Sequence, residues 1–242
     1  MEEVVSVKNL SVQFEKEVVL KNLSLSLFAG EIVGLIGPSG SGKSTFINAL
    51  LGIVAPNSGE IKLLDISIPN RKVMRKIGYM AQSDALFAEL TGKQNMEFFG
   101  ALQGKISEEE LLKAAQTVGL TSALSKAVST YSGGMKRRLS LAIALQTNAP
   151  LLCLDEPTVG IDPELRQEIW TELKRQAGMG KAILMTTHVM DEAERCDRVI
   201  LLRDGHFVAQ GSPEALKSQF HVSTVEEAFI QAAQAGDDDD EN

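Results

Sequence analysis

Residues 37–45 read Gly37-Pro38-Ser39-Gly40-Ser41-Gly42-Lys43-Ser44-Thr45, which fits G-x-x-x-x-G-K-[ST] with Gly37, Gly42, Lys43 and Ser44 at the fixed places. Before it, Ile32-Val33-Gly34-Leu35-Ile36 reads as a short buried strand; after it, Phe46-Ile47-Asn48-Ala49-Leu50-Leu51 reads as a helix. Strand, glycine loop and helix start together form an anion trap, in which backbone N–H groups converge on phosphate oxygens. Glycines are required because side chains would block that approach and because the turn needs unusual φ/ψ. Lys43 would add a point charge at the β- and γ-phosphates of a nucleotide, and the Ser44 hydroxyl would ligate Mg²⁺.

Working outward, the 242 residues suffice for one large domain with a sizeable core. The net charge of −8 misleads, because five of the 32 acidic residues fall at 237–241, leaving 27 against 24 basic ones. No basic patch of the kind that binds nucleic acid stands out, and no nucleic-acid partner is expected. The N-terminus is acidic and lacks an apolar h-region, so it does not read as a signal peptide. No apolar run approaches the ~20 residues needed to span a bilayer, so membrane contact is expected only through a partner. Cys153 and Cys196 form no C-x-x-C motif; reduced, structural thiols in a cytosolic setting are expected.

Leu23, Leu25 and Leu27 alternate with Ser24 and Ser26, the period-2 signature of a half-buried strand, and 4–14 is similar but noisier. Asn57-Ser58-Gly59 is read as a turn before a strand over 61–66. These pieces predict a small antiparallel β layer beside the glycine loop. A short buried strand over 77–81 ends at Gln82. From 83 to about 145 the chain turns helical. Ser107-Glu108-Glu109-Glu110 is a capping box opening a helix through Val118, with Leu111, Leu112, Ala115 and Val118 as its apolar stripe. Another helix begins after Ser132, with Leu139, Ala142 and Ile143 as candidate core. This stretch is read as a helical subdomain inserted in the core.

The apolar run 151–154 suits a strand buried on both faces, as in a parallel sheet, and ends in Asp155-Glu156-Pro157. Asp162-Pro163 is an N-cap with proline at N1, and Leu165, Ile169 and Leu173 follow at spacing four. A buried strand over 182–185 ends near His188. Asp204-Gly205 between 199–202 and 206–209 signals a two-residue hairpin. Ser212-Pro213 and Thr224-x-x-Glu227 open two closing helices. Alternating buried strands and helices argue for a doubly wound α/β core. Residues 236–242 are expected to form an acidic disordered tail.

A carboxylate at the C-terminal end of a buried strand sits where open α/β sheets bind ligands. Asp155 would belong to a Mg²⁺ shell. Pro157 biases Glu156 toward an extended conformation, from which it could act as general base on a water at the γ-phosphate. Ser132 would cap its helix, and Gly133 and Gly134 leave that N-terminus open to an anion.

Taken in order, the loop at 37–45, Gln82, Tyr131-Ser132-Gly133-Gly134-Met135, the run 151–156, the turn 159–162 and His188 resemble the nucleotide-binding ATPase subunits of ABC transporters over roughly 4–229. The resemblance implies an α/β fold: a P-loop NTPase (RecA-like) core, a small antiparallel β subdomain and an inserted α-helical subdomain at about 83–145, in one nucleotide-binding domain over 1–235. It implies ATP and Mg²⁺ as cofactors. Phosphate contacts would come from Gly37, Pro38, Ser39, Gly40, Ser41, Gly42, Lys43, Ser44 and Thr45. Gln82 would touch Mg²⁺ or the attacking water and sense the membrane partner, alongside Ser44 and Asp155 at the metal. Glu156, His188, Gln82 and Lys43 would form the catalytic set, with His188 at the γ-phosphate. Phe14 would stack on adenine; taken alone it could also be an ordinary core aromatic. Ser132, Gly133, Gly134 and Asp162 would meet the ATP held by a second nucleotide-binding subunit, most simply in a homodimer.

Tyr131 and Met135 depart from the common Leu-Ser-Gly-Gly-Gln signature, and Met135 removes an amide that could reach nucleotide. Tyr-Ser-Gly-Gly-Met-Lys-Arg-Arg and Thr-Thr-His-Val-Met-Asp-Glu-Ala-Glu are more typical of bacterial exporters with separate ABC-2-type permeases, such as drug-resistance pumps. The implied function is ATP-driven export through an integral membrane permease subunit, at the cytoplasmic face of the membrane. The alternative is a soluble ABC-type ATPase acting on ribosomes or nucleic acid. A GTPase is disfavoured because no Asn-Lys-x-Asp motif occurs.

Overall fold

The computed structural model describes residues 2–83, 85–104 and 106–239. In chain order the elements are β1 (Glu3–Phe14), β2 (Glu17–Phe28), β3 (Ile32–Ile36), α1 (Lys43–Leu50), β4 (Ser58–Leu63), β5 (Ile66–Ser67), α2 (Arg71–Met74), β6 (Ile77–Met80), α3 (Gly92–Gln103), α4 (Glu108–Thr117), α5 (Gly133–Leu145), β7 (Leu151–Asp155), α6 (Pro163–Gly178), β8 (Ala182–Thr187), α7 (Met190–Ala193), β9 (Arg198–Arg203), β10 (His206–Gly211), α8 (Pro213–Phe220) and α9 (Val225–Asp239).

The central sheet has six strands in the order β10-β9-β3-β8-β7-β6. All neighbours are parallel except β10, which pairs antiparallel to β9 across the Asp204-Gly205 turn. Strict alternation along the central strands divides two cores. Ile32 and Ile36 of β3, Leu152 and Leu154 of β7 and Ile183 and Met185 of β8 face the helices α4, α5 and α6. Val33 and Leu35, Leu151 and Cys153, Ala182 and Leu184 face α1 and the antiparallel layer. Both faces are covered, which is why these strands read as unbroken apolar runs.

The antiparallel layer is a second sheet, β2-β1-β4-β5. Leu23, Leu25 and Leu27 of β2 point into the core it shares with α1. Phe46 of α1 meets Phe207 of β10 edge-on at 5.6 Å, closing the layer against the rim of the central sheet. Between β6 and β7 the chain makes α3, α4 and α5. The capping box at Ser107 and Glu110 is present, as is a second one at Thr91 and Gln94. Cys153 and Cys196 are free and buried, and burial pushes both thiols well above their usual range. Among the described residues no helix is long and apolar enough to cross a membrane.

Three expectations need correction. The strand expected over 61–66 starts at Ser58 and breaks after Leu63, because Leu64 and Asp65 both take positive φ (49° and 60°) and turn the chain into β5. Leu112 leaves the stripe of α4 and is 42 % exposed, while Ala114 is buried in its place. The spacing 111, 114, 115, 118 follows one helix face, and 112 lies about 100° away from 111. The closing helix runs to Asp239, so 237–239 are helical rather than an unstructured tail. Once Thr224 has capped the start, each further residue adds one hydrogen bond. Residues 240–242 of that tail lie outside the described residues.

Candidate functional site

Every helix of eight or more residues except α1 begins with a side-chain cap: Thr91, Ser107, Ser132, Asp162, Ser212 and Thr224. The N-cap of α1 is Gly42, at φ 106°, with no side-chain hydrogen bond. Its first N–H groups are therefore left for something else, and the macrodipole favours an anion. The loop in front is tightly built. A Cβ on Gly37 would lie 2.1 Å from the Leu202 carbonyl oxygen and 2.6 Å from Ser41 Oγ; one on Gly42 would lie 2.7 Å from Leu20 Cδ2.

Lys43 is buried, and its Nζ donates to the carbonyls of Gly37 (2.7 Å) and Pro38 (2.9 Å). Burial lowers its ammonium below the usual value, while the Glu156 and Asp155 carboxylates pull it back up. Ser41 Oγ is buried with no hydrogen-bond partner among the described residues. The chain thus presents an uncapped helix start, a buried cation and an orphaned hydroxyl in one loop, which fits a polyphosphate.

Ser44 Oγ donates to Asp155 Oδ2 at 3.1 Å, and the other carboxylate oxygen of Asp155 accepts from Thr186 Oγ1. Hydroxyl and carboxylate oxygens are the hard donors Mg²⁺ takes, and Mg²⁺ commonly needs only one or two protein ligands beside phosphates.

Glu156 follows the last residue of β7. Its N–H donates to Thr186 Oγ1 (2.9 Å), and its Oε1 lies 3.0 Å from His188 Nδ1. Its backbone is not extended, as Pro157 had suggested, but left-handed at φ 52°. The local preference yields to the bonds that hold Glu156 on both sides of its Cα.

These residues surround a cleft of about 210 Å³ lined by Ser39, Gly40, Gly42, Lys43, Ser44, Thr45, Gln82 and Glu156, with Val19 from β2. Gly37 and Pro38 support it through Lys43, and Asp155 lies beside Ser44. His188 reaches it through Glu156, and Ser41 stands behind its lining in the same loop. Five further expected residues are not among its lining. Phe14 is 47 % exposed at the end of β1, so it is not a core aromatic. Ser132, Gly133 and Gly134 sit on the surface, with Ser132 Oγ accepting from Met135 N at 3.2 Å. Asp162 caps α6 by accepting from Leu165 N.

Sequence reasoning missed Val19, Thr186, Arg137 and Glu192. Glu192, only 2 % exposed, accepts from Thr158 Oγ1 with one carboxylate oxygen and from Thr187 Oγ1 with the other (2.7 Å). It joins the segment after β7 to the end of β8, beside His188. In the sequence it stands in an acidic cluster that reads as solvated surface. Only the two Thr residues just before His188 hint that an acceptor is needed.

A family model described as ABC transporter matches residues 20–159. The probable multidrug ABC transporter ATP-binding protein YbhF of Escherichia coli (strain K12) is 37% identical over 240 residues, covering 95% of this chain and 42% of that protein. The Nod factor export ATP-binding protein I of Rhizobium meliloti (strain 1021) is 40% identical over 218 residues, covering 88% of this chain and 65% of that protein. The chain therefore spans about two fifths to two thirds of the length of these curated relatives. Among solved structures, the dimeric post-hydrolysis state of the ATP-binding cassette MJ0796 bound to ADP and Pi superimposes with a TM-score of 0.79 at 30% identity, covering 86% of this chain and 98% of that one.

Proposed function

The chain belongs to the ABC transporter family, and we propose that it is the ATP-binding and ATP-hydrolysing subunit that powers export through a separate membrane permease. The observation that carries this reading is the convergence, at the C-terminal ends of the parallel strands β3, β7 and β8, of the uncapped start of α1 with the Ser44–Asp155 and Glu156–His188 pairs. Relatives named for multidrug transport and Nod factor export support the direction.

In this reading the loop N–H groups and Lys43 hold the β- and γ-phosphates, and Phe14 stacks on adenine. Ser44, Asp155 and Gln82 would hold Mg²⁺, which supplies charge neutralisation at the phosphates when bound. Glu156 orients or deprotonates the attacking water, and His188 both steadies that carboxylate and faces the γ-phosphate. Catalysis is then mostly positioning and electrostatics. Ser132, Gly133, Gly134 and Asp162 serve the ATP of a second copy, placed head to tail; the dimeric state of the cassette neighbour supports such a pairing. ATP favours the closed pair because ADP lacks the contacts of the γ-phosphate, and hydrolysis releases it.

The permease docks near 82–90, at the cytoplasmic face of the membrane. Support comes from Phe87 and Phe98, 45 % and 43 % exposed and packed edge-on at 4.8 Å, which present an apolar surface five residues after Gln82 in the chain.

Glu156→Gln tests the assignment. With the permease supplied, ATP turnover should fall by about 10²- to 10⁴-fold while ATP binding persists, and an ATP-dependent dimer should accumulate on a sizing column. Full turnover in that variant removes Glu156 as the base. A parent chain that turns over no ATP in the presence of its permease overturns the function.

A further inference from the structure

Arg137 lies on α5, five residues beyond Ser132 and so roughly 7.5 Å along the helix axis. Its guanidinium donates four hydrogen bonds, all to main-chain carbonyls. Nη1 reaches Ala81 O (3.2 Å) and Gln82 O (2.7 Å); Nη2 reaches Asp155 O and Glu156 O (2.8 Å). One nitrogen serves each segment. The segments are the continuations of neighbouring strands: the β6–β7 ladder pairs its last residues at Met80 and Leu154. Where that ladder stops, one planar fork collects the carbonyls of the next two residues on each strand.

We propose that Arg137 is a positioning residue that fixes Gln82 and Glu156 relative to one another and to the helix carrying Ser132. The inference rests on the ATPase reading above. Glu156 sits at φ 52°, a conformation that a non-glycine residue keeps only when its surroundings over-determine it. Glu156 is held on both sides. Its N–H donates to Thr186 Oγ1 (2.9 Å) and Thr186 O (3.2 Å), and its C=O accepts from Arg137 (2.8 Å) and, at a longer 3.4 Å, from Val159 N. Without Arg137 the C=O keeps only the long bond from Val159, and Pro157 favours relaxation of Glu156 to an extended backbone. Its carboxylate would then leave the place where it meets His188. The same loss frees the carbonyl of Gln82 on the opposite wall of the cleft. Because Arg137 and Ser132 share one helix, any shift of α5 is passed to both catalytic walls.

Only arginine suits this task. Its five donors stand in a rigid fork, whereas a lysine ammonium is a compact head with three donors and a glutamine amide has two.

The test compares Arg137→Gln and Arg137→Lys with the parent full chain, each with the permease. The readouts are kcat, KM for ATP, ATP affinity without turnover, and the thermal midpoint. Arg137→Gln should lower kcat by roughly 10- to 100-fold, with KM and ATP affinity within about threefold of the parent. Arg137→Lys should recover part of kcat, and it carries the test should Arg137→Gln fail to fold. The proposal is overturned if kcat in both variants stays within about twofold of the parent. It is also overturned if kcat, ATP affinity and thermal midpoint fall together with no recovery by lysine. A parent that turns over no ATP overturns both this proposal and the ATPase reading; an active parent with insensitive variants overturns this one alone.

Discussion

At Gly37 an added methyl group would collide with a backbone carbonyl at 2.1 Å; at Gly133 and Gly134 it would meet nothing within 4 Å. Both sites open a helix, yet their glycines answer to different neighbours. The loop before α1 is packed against Leu202 and Leu20 of the same chain, and its helix start is left without a side-chain cap. The loop before α5 faces solvent, and its helix start is already capped by Ser132. The first half-site is thus built entirely by this chain. The second leaves open space at both glycines, and under the proposed pairing that space is where a second copy would enter.

Lys43→Ala should have the largest effect on the built half. Removing the buried cation should lower kcat/KM for ATP by about 10³-fold, and titration should show weakened nucleotide binding. Unchanged ATP affinity would place the phosphates elsewhere.

The comparison itself is sharpened by two glycine substitutions. Gly134→Val should leave the thermal midpoint and the ATP affinity of the isolated chain unchanged, while lowering turnover with the permease by about 10²-fold. Gly37→Ala should instead lower the thermal midpoint, because its Cβ meets main chain that cannot step aside. If Gly134→Val destabilises the chain as Gly37→Ala does, the contrast between the two loops is broken.

Phe14→Ala comes next. Losing one base-stacking ring should weaken ATP binding by about 10-fold with little change in thermal stability, since the ring is half exposed. Equal ATP affinities would assign adenine to another contact, with Val19 the neighbour already lining the cleft.

The built half was largely legible in the sequence because its signals are local. The loop spacing, the apolar runs of β3, β7 and β8, the Ser107–Glu110 box and the Asp204-Gly205 turn each declare themselves within a few residues. What the sequence hid depends on distant partners or on residues acting against type. Leu64 and Asp65 make a tight turn without glycine, so the break between β4 and β5 carries no mark. Pro157 argued for an extended Glu156, and long-range bonds overruled it. Arg137 stands in the run Lys136-Arg137-Arg138, which reads as a solvated helix start; its acceptors lie up to 56 residues away and are carbonyls, which have no residue type. Exposed glycines at 133 and 134 open α5 and carry no sequence mark of a partner.

A pair of lysines extends the comparison to the two ends of the central sheet and yields the smallest expected effect. Burial lowers both Lys43, at the cleft, and Lys181, just before β8 at the opposite end. Near Lys43 two carboxylates pull the ammonium back up. Lys181 donates to Thr147 O and to Gln176 Oε1 (2.9 Å), but the Arg175 cation adds to its burial, and it falls from 10.5 to about 8 against the pull of Glu172 and Glu110. Between those values the folded chain has released the proton that the unfolded chain still holds. The unfolded state therefore binds more protons, and stability due to this group rises with pH across that window. Lys181→Met lacks the titration, while Lys43 is common to both proteins and cancels. The thermal midpoint of the parent, relative to Lys181→Met, should climb by roughly a few degrees between about pH 7 and pH 10. A difference that stays flat would mean that Lys181 keeps its proton throughout, and that burial at the far end of the sheet costs this ammonium less than its surroundings imply.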